Sequence, residues 1–305
     1  MQTRLIVAIL TVLPFAPAGF AGNLGDMTRP PSIRANVELV LVPVTVTDWK
    51  GATVTGLERK HFKLMQDNVP KSIVSFAQQD VSCSVGVIVD TSGSRYRQLE
   101  AVKTAVRAFV ETAAPRDEAS LMSVSSQPKI EARFTEDPVE IRNSLRMVRP
   151  GGSMALVDTL YLALNKMHSA HNPRRALLIV SDGMDNRSRY SKGDLMRMAM
   201  EADVQIYTIS IGVPARYKKQ IQVREQPDGL TLLEDLADKT GGLHYTVEFS
   251  NEAGRVAKQV GLAIRNQYLI GYRPPDGEAG RWHKIRVKLD VPDTNVYARN
   301  GYYSR

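Results

Sequence analysis

The stretch VGVIVDTSGSR, residues 85–95, decides the fold of this chain. Its first five residues form an apolar run without polar alternation, which is typical of a strand buried on both faces of a parallel sheet. The chain then turns at Gly93 and enters an amphipathic helix over residues 99–113. We therefore expect Asp90, Ser92 and Ser94 together at the carboxyl end of a central strand, where open α/β sheets place their ligands.

The residue types in this run favour one kind of ligand. One carboxylate and two hydroxyls offer hard oxygens, which suit Mg²⁺ or Mn²⁺ better than zinc. An alternative needs no ligand, because in a Ser/Gly-rich turn Asp90 would cap the following helix. The run taken alone leaves both interpretations open.

Two later segments extend the pattern. RPGGSMALVDTLYLAL, residues 149–164, is a Gly-rich loop that opens a helix, and RRALLIVSDGMDN, residues 174–186, is an apolar strand followed by Ser-Asp-Gly. A strand ending in D-x-S-x-S, then G-G-[ST] with A-L-x-D, then a strand ending in [ST]-D-G, is the order of the metal-ion-dependent adhesion site. From about residue 82 to 266 the chain resembles a von Willebrand factor type A (vWFA) domain.

The resemblance implies which residues form the site. In that family the first Asp and the two hydroxyls ligate a divalent cation, a Thr of the Gly-rich loop adds a third hydroxyl, and the Asp of the D-G turn binds through the second shell. Carried over by motif, the first Asp, the two hydroxyls and the Asp of the D-G turn are Asp90, Ser92, Ser94 and Asp182.

The chain departs from the family pattern at two positions. The Thr position falls on Ser153 when the two glycines are the anchor, and on Met154 when Ala155-Leu156-x-Asp158 is the anchor. Ser153 offers an oxygen, so it completes the predicted metal set, whereas a thioether is too soft for Mg²⁺. Arg95 stands where Met is usual and adds a positive charge. A retained scaffold with a degenerate site is therefore an open alternative.

Composition and charge narrow the classes of function. The 305 residues suffice for one large or two modest domains, and the formal net charge is +8. The Lys and Arg residues are scattered, and no nucleic-acid-binding motif accompanies them, so we expect no nucleic-acid partner. No P-loop, dinucleotide fingerprint or G-x-S-x-G elbow is present. Cys83 is the only cysteine, which rules out an intramolecular disulfide.

Residues 1–21 have the layout of a secretory signal peptide. One Arg precedes an apolar stretch, and small residues at Gly19 and Ala21 suit cleavage after Ala21 or Ala18. The apolar stretch is too short to span a bilayer and contains Pro14. We therefore predict an exported protein, periplasmic or extracellular, without a transmembrane segment.

Both flanks of the vWFA-like region predict β-structure. Residues 37–48 alternate through Val42, Val44 and Val46, and further strands are expected in WKGATVTGL, HFKLMQDNVP and KSIVSFAQQ and in three C-terminal segments. Neither flank is expected to be stable alone. We predict that residues 33–80 and 267–305 pack together as a β-sandwich-like module from which the vWFA region, 82–266, emerges as an insertion. This layout resembles the acidobacterial vWFA-related family, which implies an exported bacterial protein.

Strands and helices alternate within the insertion, which predicts a doubly wound, mainly parallel α/β sheet. Residues 212–228 are polar and lack a period, so a long loop is expected there. The predicted order is β 83–90, α 98–113, β 118–125, β 129–134, α 137–146, α 155–169, β 175–181, α 191–202, β 204–210, α 229–239, β 243–247 and α 251–266.

Three functions are compatible with these motifs. The first is a non-enzymatic module that binds a partner protein, whose Asp or Glu fills an open position on the cation. The second is a Mg²⁺-dependent hydrolase that uses Asp90, Asp182 and Asp185, which is weaker because no general base or phosphate-cradling loop appears. The third is a scaffold whose metal site is vestigial.

Overall fold

The computed structural model describes residues 39–79, 81–91, 96–212, 228–275 and 279–304. The predicted signal peptide lies outside these residues, as do Ser92, Ser94, Arg95 and most of the predicted loop at 212–228.

Strands and helices follow the predicted order along the chain. The strands are β1 (Val40–Asp48), β2 (Phe62–Gln66), β3 (Val69–Lys71), β4 (Ser75–Gln79), β5 (Cys83–Asp90), β6 (Glu118–Val124), β7 (Lys129–Thr135), β8 (Arg174–Val180), β9 (Gln205–Ile211), β10 (His244–Val247), β11 (Gln267–Tyr272), β12 (Trp282–Leu289), β13 (Thr294–Ala298) and β14 (Gly301–Tyr303). The helices are α1 (Tyr96–Val110), α2 (Pro138–Met147), α3 (Leu156–Lys166), α4 (Lys192–Glu201), α5 (Asp228–Thr240) and α6 (Ala253–Arg265). Within the described residues, no helix combines the length and apolar character needed to cross a membrane.

A six-stranded sheet forms the centre of the α/β region, in the order β10-β9-β8-β5-β6-β7. Neighbouring strands are parallel from β10 to β6, and β7 adds an antiparallel edge. The predicted doubly wound, mainly parallel sheet is therefore confirmed.

Burial on both faces explains why the central strands are continuously apolar. In β8, Ala176, Leu178 and Val180 join a core that includes residues of α1, α2 and α6, whereas Leu177 and Ile179 join a core that includes residues of α3, α4 and α5. Successive side chains of a strand point to opposite faces, so both faces need apolar residues. Each buried aliphatic side chain stabilises the fold by roughly 1.5–3 kcal/mol.

The flanking strands form two four-stranded sheets, in the orders β13-β1-β11-β4 and β14-β12-β2-β3. Each sheet combines strands from both ends of the described chain, as the alternating valines predicted. In β1, Val44 lies opposite Tyr268 of β11 and Ala298 of β13. The two sheets share one core, in which Val44 packs with Phe62, Tyr268 and Ile285. The sequence-based prediction of a β-sandwich-like module built from both flanks is confirmed.

A turn at Asp67-Asn68 closes the β2–β3 hairpin. Both residues have positive φ, 51° and 66°, and Gln66 pairs with Val69 across them. A two-residue loop with positive φ at both positions matches the right-handed twist of the strands.

Two details of the β prediction are wrong. Residues 49–57 contain no strand, only a single bridge from Thr53 to Thr47, because Asp48 Oδ1 accepts the backbone N–H of Lys50 and Ala52 and folds the chain back. The last predicted strand is two strands, β13 and β14, in different sheets. Between them, the backbone N–H of Asn300 donates to the carbonyl of Lys239 at the end of α5, which redirects the chain.

Candidate metal centre

The candidate site lies at the carboxyl edge of the central sheet. Asp90 is the last residue of β5, and Ser181-Asp182 follows β8, its parallel neighbour, with Val89 opposite Val180. Parallel strands end on the same edge, so both motifs are brought to one place, as the sequence predicted.

The Asp90 carboxylate is held by a serine that the sequence reasoning did not assign. Asp90 is only 4% exposed, and Ser181 Oγ donates to its Oδ2 at 2.7 Å. Ser181 Oγ in turn accepts the backbone N–H of Gly183 at 3.0 Å. The hydroxyl therefore fixes the orientation of the buried carboxylate. The family motif has a Ser or Thr directly before its Asp-Gly turn, and this hydroxyl residue is the sequence feature that could have indicated the role of Ser181.

Asp182 is less enclosed than Asp90. Its side chain is partly buried, and its Oδ1 accepts the backbone N–H of Met184 at 3.0 Å. Gly183 has a φ of +83° and lies against the first turn of α5, where an added Cβ would be 2.4 Å from the carbonyl oxygen of Gly229. This turn therefore requires glycine, and its close contact with α5 sets the position of Asp182.

The Gly-rich loop is tied to the ends of β5 and β6. The backbone N–H of Gly151 donates to the Thr91 carbonyl at 2.9 Å, and the N–H of Ser153 donates to Ser126 Oγ at 3.1 Å. A Cβ at Gly152 would lie 2.9 Å from the backbone nitrogen of Ser126. Glycine therefore allows this loop to approach the sheet edge closely.

The structure distinguishes the two candidates for the missing Thr. Met154 is buried, 8% exposed, and its backbone bonds with Asn186 through both its N–H and its carbonyl. Ser153 is partly exposed, and its Oγ accepts a hydrogen bond from Arg187 Nε at 3.4 Å. Ser153 is thus the residue of this pair that offers a side-chain oxygen at the edge, beside a guanidinium that the sequence reasoning missed.

A network of carboxylate hydrogen bonds joins the Gly-rich loop to the segment after the D-G turn. Asp185 Oδ2 accepts the backbone N–H of Val157 at 2.7 Å and Ser188 Oγ at 2.5 Å. Asp158 of α3 forms hydrogen bonds with the same later segment, since its Oδ1 accepts the N–H groups of Arg189 and Tyr190 at 2.8 and 3.0 Å. These bonds hold the two loops of the site in a fixed relation.

Asp185 is therefore a structural residue. The residue at the N-terminus of α3 is Ala155, which has no side-chain oxygen to cap the helix, and Asp185 supplies the missing acceptor from another loop. Burial raises the pKa of Asp185, but hydrogen bonds from Ser188, Val157 and Arg187 outweigh it and hold the pKa below the ordinary value. The carboxylate is thus ionised and already engaged by donors, so it is poorly placed to serve a hydrolase.

The donor set suits a hard cation. The residues predicted to hold the ion, Asp90, Ser92, Ser94, Ser153 and Asp182, offer oxygen only. The structure places Asp90, Ser153 and Asp182 at one edge of the sheet, whereas Ser92 and Ser94 lie outside the described residues. Within the described residues, no cluster of three or more His, Cys, Asp or Glu side chains is arranged to hold a metal.

A doubly wound sheet with a carboxylate at one strand end, a serine-aspartate turn at the next and a Gly-rich loop between them defines the vWFA class of fold. The family model for the von Willebrand factor type A domain matches residues 85–184. Residues 85–184 thus form a von Willebrand factor type A domain.

Known proteins share this fold at low sequence identity. A solved von Willebrand factor type A structure from Catenulispora acidiphila has a TM-score of 0.53 and 9% identity, covering 89% of this chain and 75% of that one. Proximal thread matrix protein 1 from the mussel byssus has a TM-score of 0.50 and 12% identity, covering 72% and 50%. At these identities the likeness shows the fold alone.

One curated relative is similar in sequence. An uncharacterized protein of Borreliella burgdorferi is 24% identical over 180 residues, which are 55% of this chain and 52% of that protein. The chain therefore spans about half the length of this relative.

Proposed function

We propose that this protein is an exported, non-enzymatic protein-binding module with a metal-ion-dependent adhesion site. Asp90, Ser92, Ser94 and Ser153 would hold Mg²⁺ or Mn²⁺, and Asp182 would act from the second shell. A partner protein would supply an Asp or Glu to the ion. The observation that carries the proposal is the buried Asp90 carboxylate, fixed by Ser181 at the sheet edge that also bears Asp182 and Ser153.

The match of residues 85–184 to the von Willebrand factor type A domain supports binding rather than catalysis. Domains of this family generally act as protein interaction modules. A bound divalent cation would supply a Lewis-acidic position for a carboxylate of the partner. This chain contributes a rigid frame, because the hydrogen bonds of Asp185 and Asp158 fix the loops of the site. It also contributes few negative charges to the ion, because serines provide most of the oxygens.

The layout of the whole chain is part of the proposal. Residues 1–21 would be the signal peptide, 82–266 the vWFA domain, and 33–80 with 267–305 the β-module. Mass spectrometry of protein secreted by a bacterial host would test the export signal. We expect an N-terminus at Gly22 or Gly19, and an intact Met1 would refute cleavage.

A second candidate is a scaffold with a degenerate site, and one contact favours it. Arg187 Nε lies 3.4 Å from Ser153 Oγ, which places a positive charge beside an oxygen predicted to face the cation. This contact competes with the metal for Ser153.

Calorimetric titration with Mn²⁺ separates the two candidates. We compare the full chain, Asp90→Asn and the control Asp290→Asn, which removes an exposed carboxylate that pairs with Lys63 in the β-module. We expect saturable binding in the full chain and in the control, and at least a tenfold weaker affinity in Asp90→Asn, about 1.4 kcal/mol. The absence of binding in the full chain would support the degenerate scaffold, and equal binding in Asp90→Asn would place the ion elsewhere.

The carboxylate-binding step has its own test. We measure acetate binding to the Mn²⁺-loaded chain by water-proton relaxation, with Asp90→Asn as the control. Acetate should lower the relaxation enhancement in the full chain because it displaces a water from the ion. No change at saturating acetate would contradict an open coordination position for a partner's Asp or Glu.

A further inference from the structure

A cavity lies on the side of the α/β region opposite to Asp90. Its volume is about 380 Å³, and the starts of β5, β8 and β9 line it together with β1, β11 and the ends of α4, α5 and α6. Small-molecule sites commonly occupy volumes of about 300–1,000 Å³ and favour junctions between domains. This cavity meets both criteria, since it lies where the central sheet meets the β-module.

One part of the cavity wall is apolar. Leu41 and Pro43 of β1 and Leu269 of β11 contribute from the β-module. Met200 of α4 and Val204, just before β9, contribute from the α/β region. Leu41 is 46% exposed, which is unusual for a leucine in a strand whose alternate residues are fully buried. The wall therefore offers apolar surface to a ligand of modest size.

The remaining wall is cationic. Arg174, Arg175, Lys239 and Arg299 line the cavity, and Asp203 is the only carboxylate among its described lining residues. Arg299 Nη1 donates to Asp203 Oδ1 at 2.6 Å, so these two charges offset each other. The lining therefore has an excess of three positive charges.

Within the part of the chain that the structure describes, two of these cations have structural partners and two do not. Arg174 donates to the carbonyls of Val81 and Ile264 and to Gln267 Oε1, which joins the sheet to the β-module. Among the described residues, no carboxylate pairs with Arg175 or Lys239. Arg175 Nε is buried and has no hydrogen-bond partner there. A buried donor without an acceptor is costly, and a ligand group that accepts from it would remove this cost.

Arg175 lies where the cationic part of the cavity wall meets the apolar part. Along β8, Arg175 lies on the same face as Leu177 and Ile179, whose core includes Ala199 of α4. Ala199 also lines the cavity. The guanidinium thus lies where a charged head group and an apolar body would both be in contact with the protein.

We infer that this cavity binds a small amphipathic carboxylate, whose head group bonds with Arg175 near Lys239 and whose apolar chain contacts Leu41, Pro43 and Leu269. A guanidinium recognises a carboxylate through two parallel N–H donors, which suits a ligand with a single carboxylate at one end. The site is separate from the metal edge and does not depend on the proposed function.

The test uses octanoate and its neutral analogue 1-octanol on the full chain. Calorimetry is run with a chelator in the buffer, so that no divalent cation binds the carboxylate at the opposite edge. The variants are Arg175→Gln and the control Arg133→Gln, which changes an exposed arginine on the edge strand β7. We expect octanoate to bind Arg175→Gln about tenfold more weakly than the full chain, with octanol affinity and the octanoate affinity of the control unchanged.

Two results would overturn the inference. One is the absence of saturable octanoate binding by the full chain, and the other is equal octanoate affinity in Arg175→Gln. If Arg175→Gln does not fold, Leu41→Trp replaces it, because the indole extends into the cavity from an exposed position. Leu41→Trp should weaken both octanoate and octanol at an unchanged melting temperature, and unchanged binding of both would place the ligand outside this cavity.

Discussion

Asp185 should be the residue on which the stability of the candidate site depends most. It accepts the N–H groups of Val157, Arg187 and Ser188 and the hydroxyl of Ser188, at 2.5 to 3.2 Å. Replacing Asp185 with Ala removes the acceptor at the N-terminus of α3 and the bonds that order the following loop. Loss of a helix cap costs about 0.5–2 kcal/mol, and loss of a hydrogen bond to a charged group costs about 1.5–3 kcal/mol.

Because the Asp185 side chain is partly exposed, water replaces some of these bonds in the variant. We therefore expect Asp185→Ala to lower the free energy of unfolding by about 2 kcal/mol, and the melting temperature by roughly 4–8 °C for a domain of this size. Differential scanning calorimetry and urea unfolding measure both quantities. The control is Asp290→Ala, whose exposed ion pair with Lys63 should contribute within about 0.5 kcal/mol.

The pH dependence gives a second check on Asp185. Its pKa is lowered in the folded protein from the ordinary value of 3.8, so its ionised form stabilises the fold above that pH. The stability difference between the full chain and Asp185→Asn should be constant at neutral pH and should shrink as the pH falls below 3.8, through the folded pKa. A difference that grows on acidification, or an Asp185→Ala variant as stable as the control, would refute the assigned role.

Three further outcomes follow from the structure. Arg187→Gln should strengthen Mn²⁺ binding. A guanidinium about 6 Å from a divalent ion repels it by about 1.4 kcal/mol in a water-like dielectric before salt screening. Weaker Mn²⁺ binding by the variant in calorimetry would show that Arg187 supports metal binding instead. Gly183→Ala should destabilise the protein by about 1–3 kcal/mol more than Gly56→Ala, since both have φ near +80° but only Gly183 lies against backbone atoms; equal melting temperatures would contradict that contact. Removal of residues 267–305 should expose residues 39–79 to limited proteolysis more than the α/β core, because β1 loses β11 and β13; an equally protected N-terminal flank would rule out the shared module.

The sequence predicted the α/β region well, and the reason is physical. A strand buried on both faces must be apolar throughout, and β5 and β8 stand out for this reason. Amphipathic spacing then marks the helices between them. The motifs lie at strand ends, so the placement of Asp90 and Asp182 at one edge follows from the parallel order of the strands.

The sequence was less informative where tertiary contacts decide the structure. The separation of β13 from β14 depends on a backbone bond from Asn300 to Lys239, two segments about 60 residues apart in the chain. Likewise, the sequence made Asp185 a candidate for catalysis, because a carboxylate close to a Mg²⁺ motif is a typical residue of a Mg²⁺-dependent hydrolase. Only the fold shows that its oxygens cap α3, since Ala155 at that position gives no local cap.

Arg187 and Ser181 illustrate the same limit within the site. Ser181 was part of a recognised motif, yet its bond to Asp90 required the register of β5 against β8. Arg187 lies after the D-G turn and reaches Ser153, 34 residues earlier in the chain. No local pattern predicts this contact, although it bears directly on whether an ion binds.

Anomalous diffraction from a crystal of the full chain soaked in Mn²⁺ tests most directly the central claim, that the carboxyl edge of the central sheet binds a divalent cation. We expect one anomalous peak at the carboxyl edge of the central sheet, bonded to oxygens of Asp90, Ser92, Ser94 and Ser153, with Arg187 moved away from Ser153. The absence of a peak at this edge, with the Arg187 guanidinium still bonded to Ser153 at saturating Mn²⁺, would contradict it.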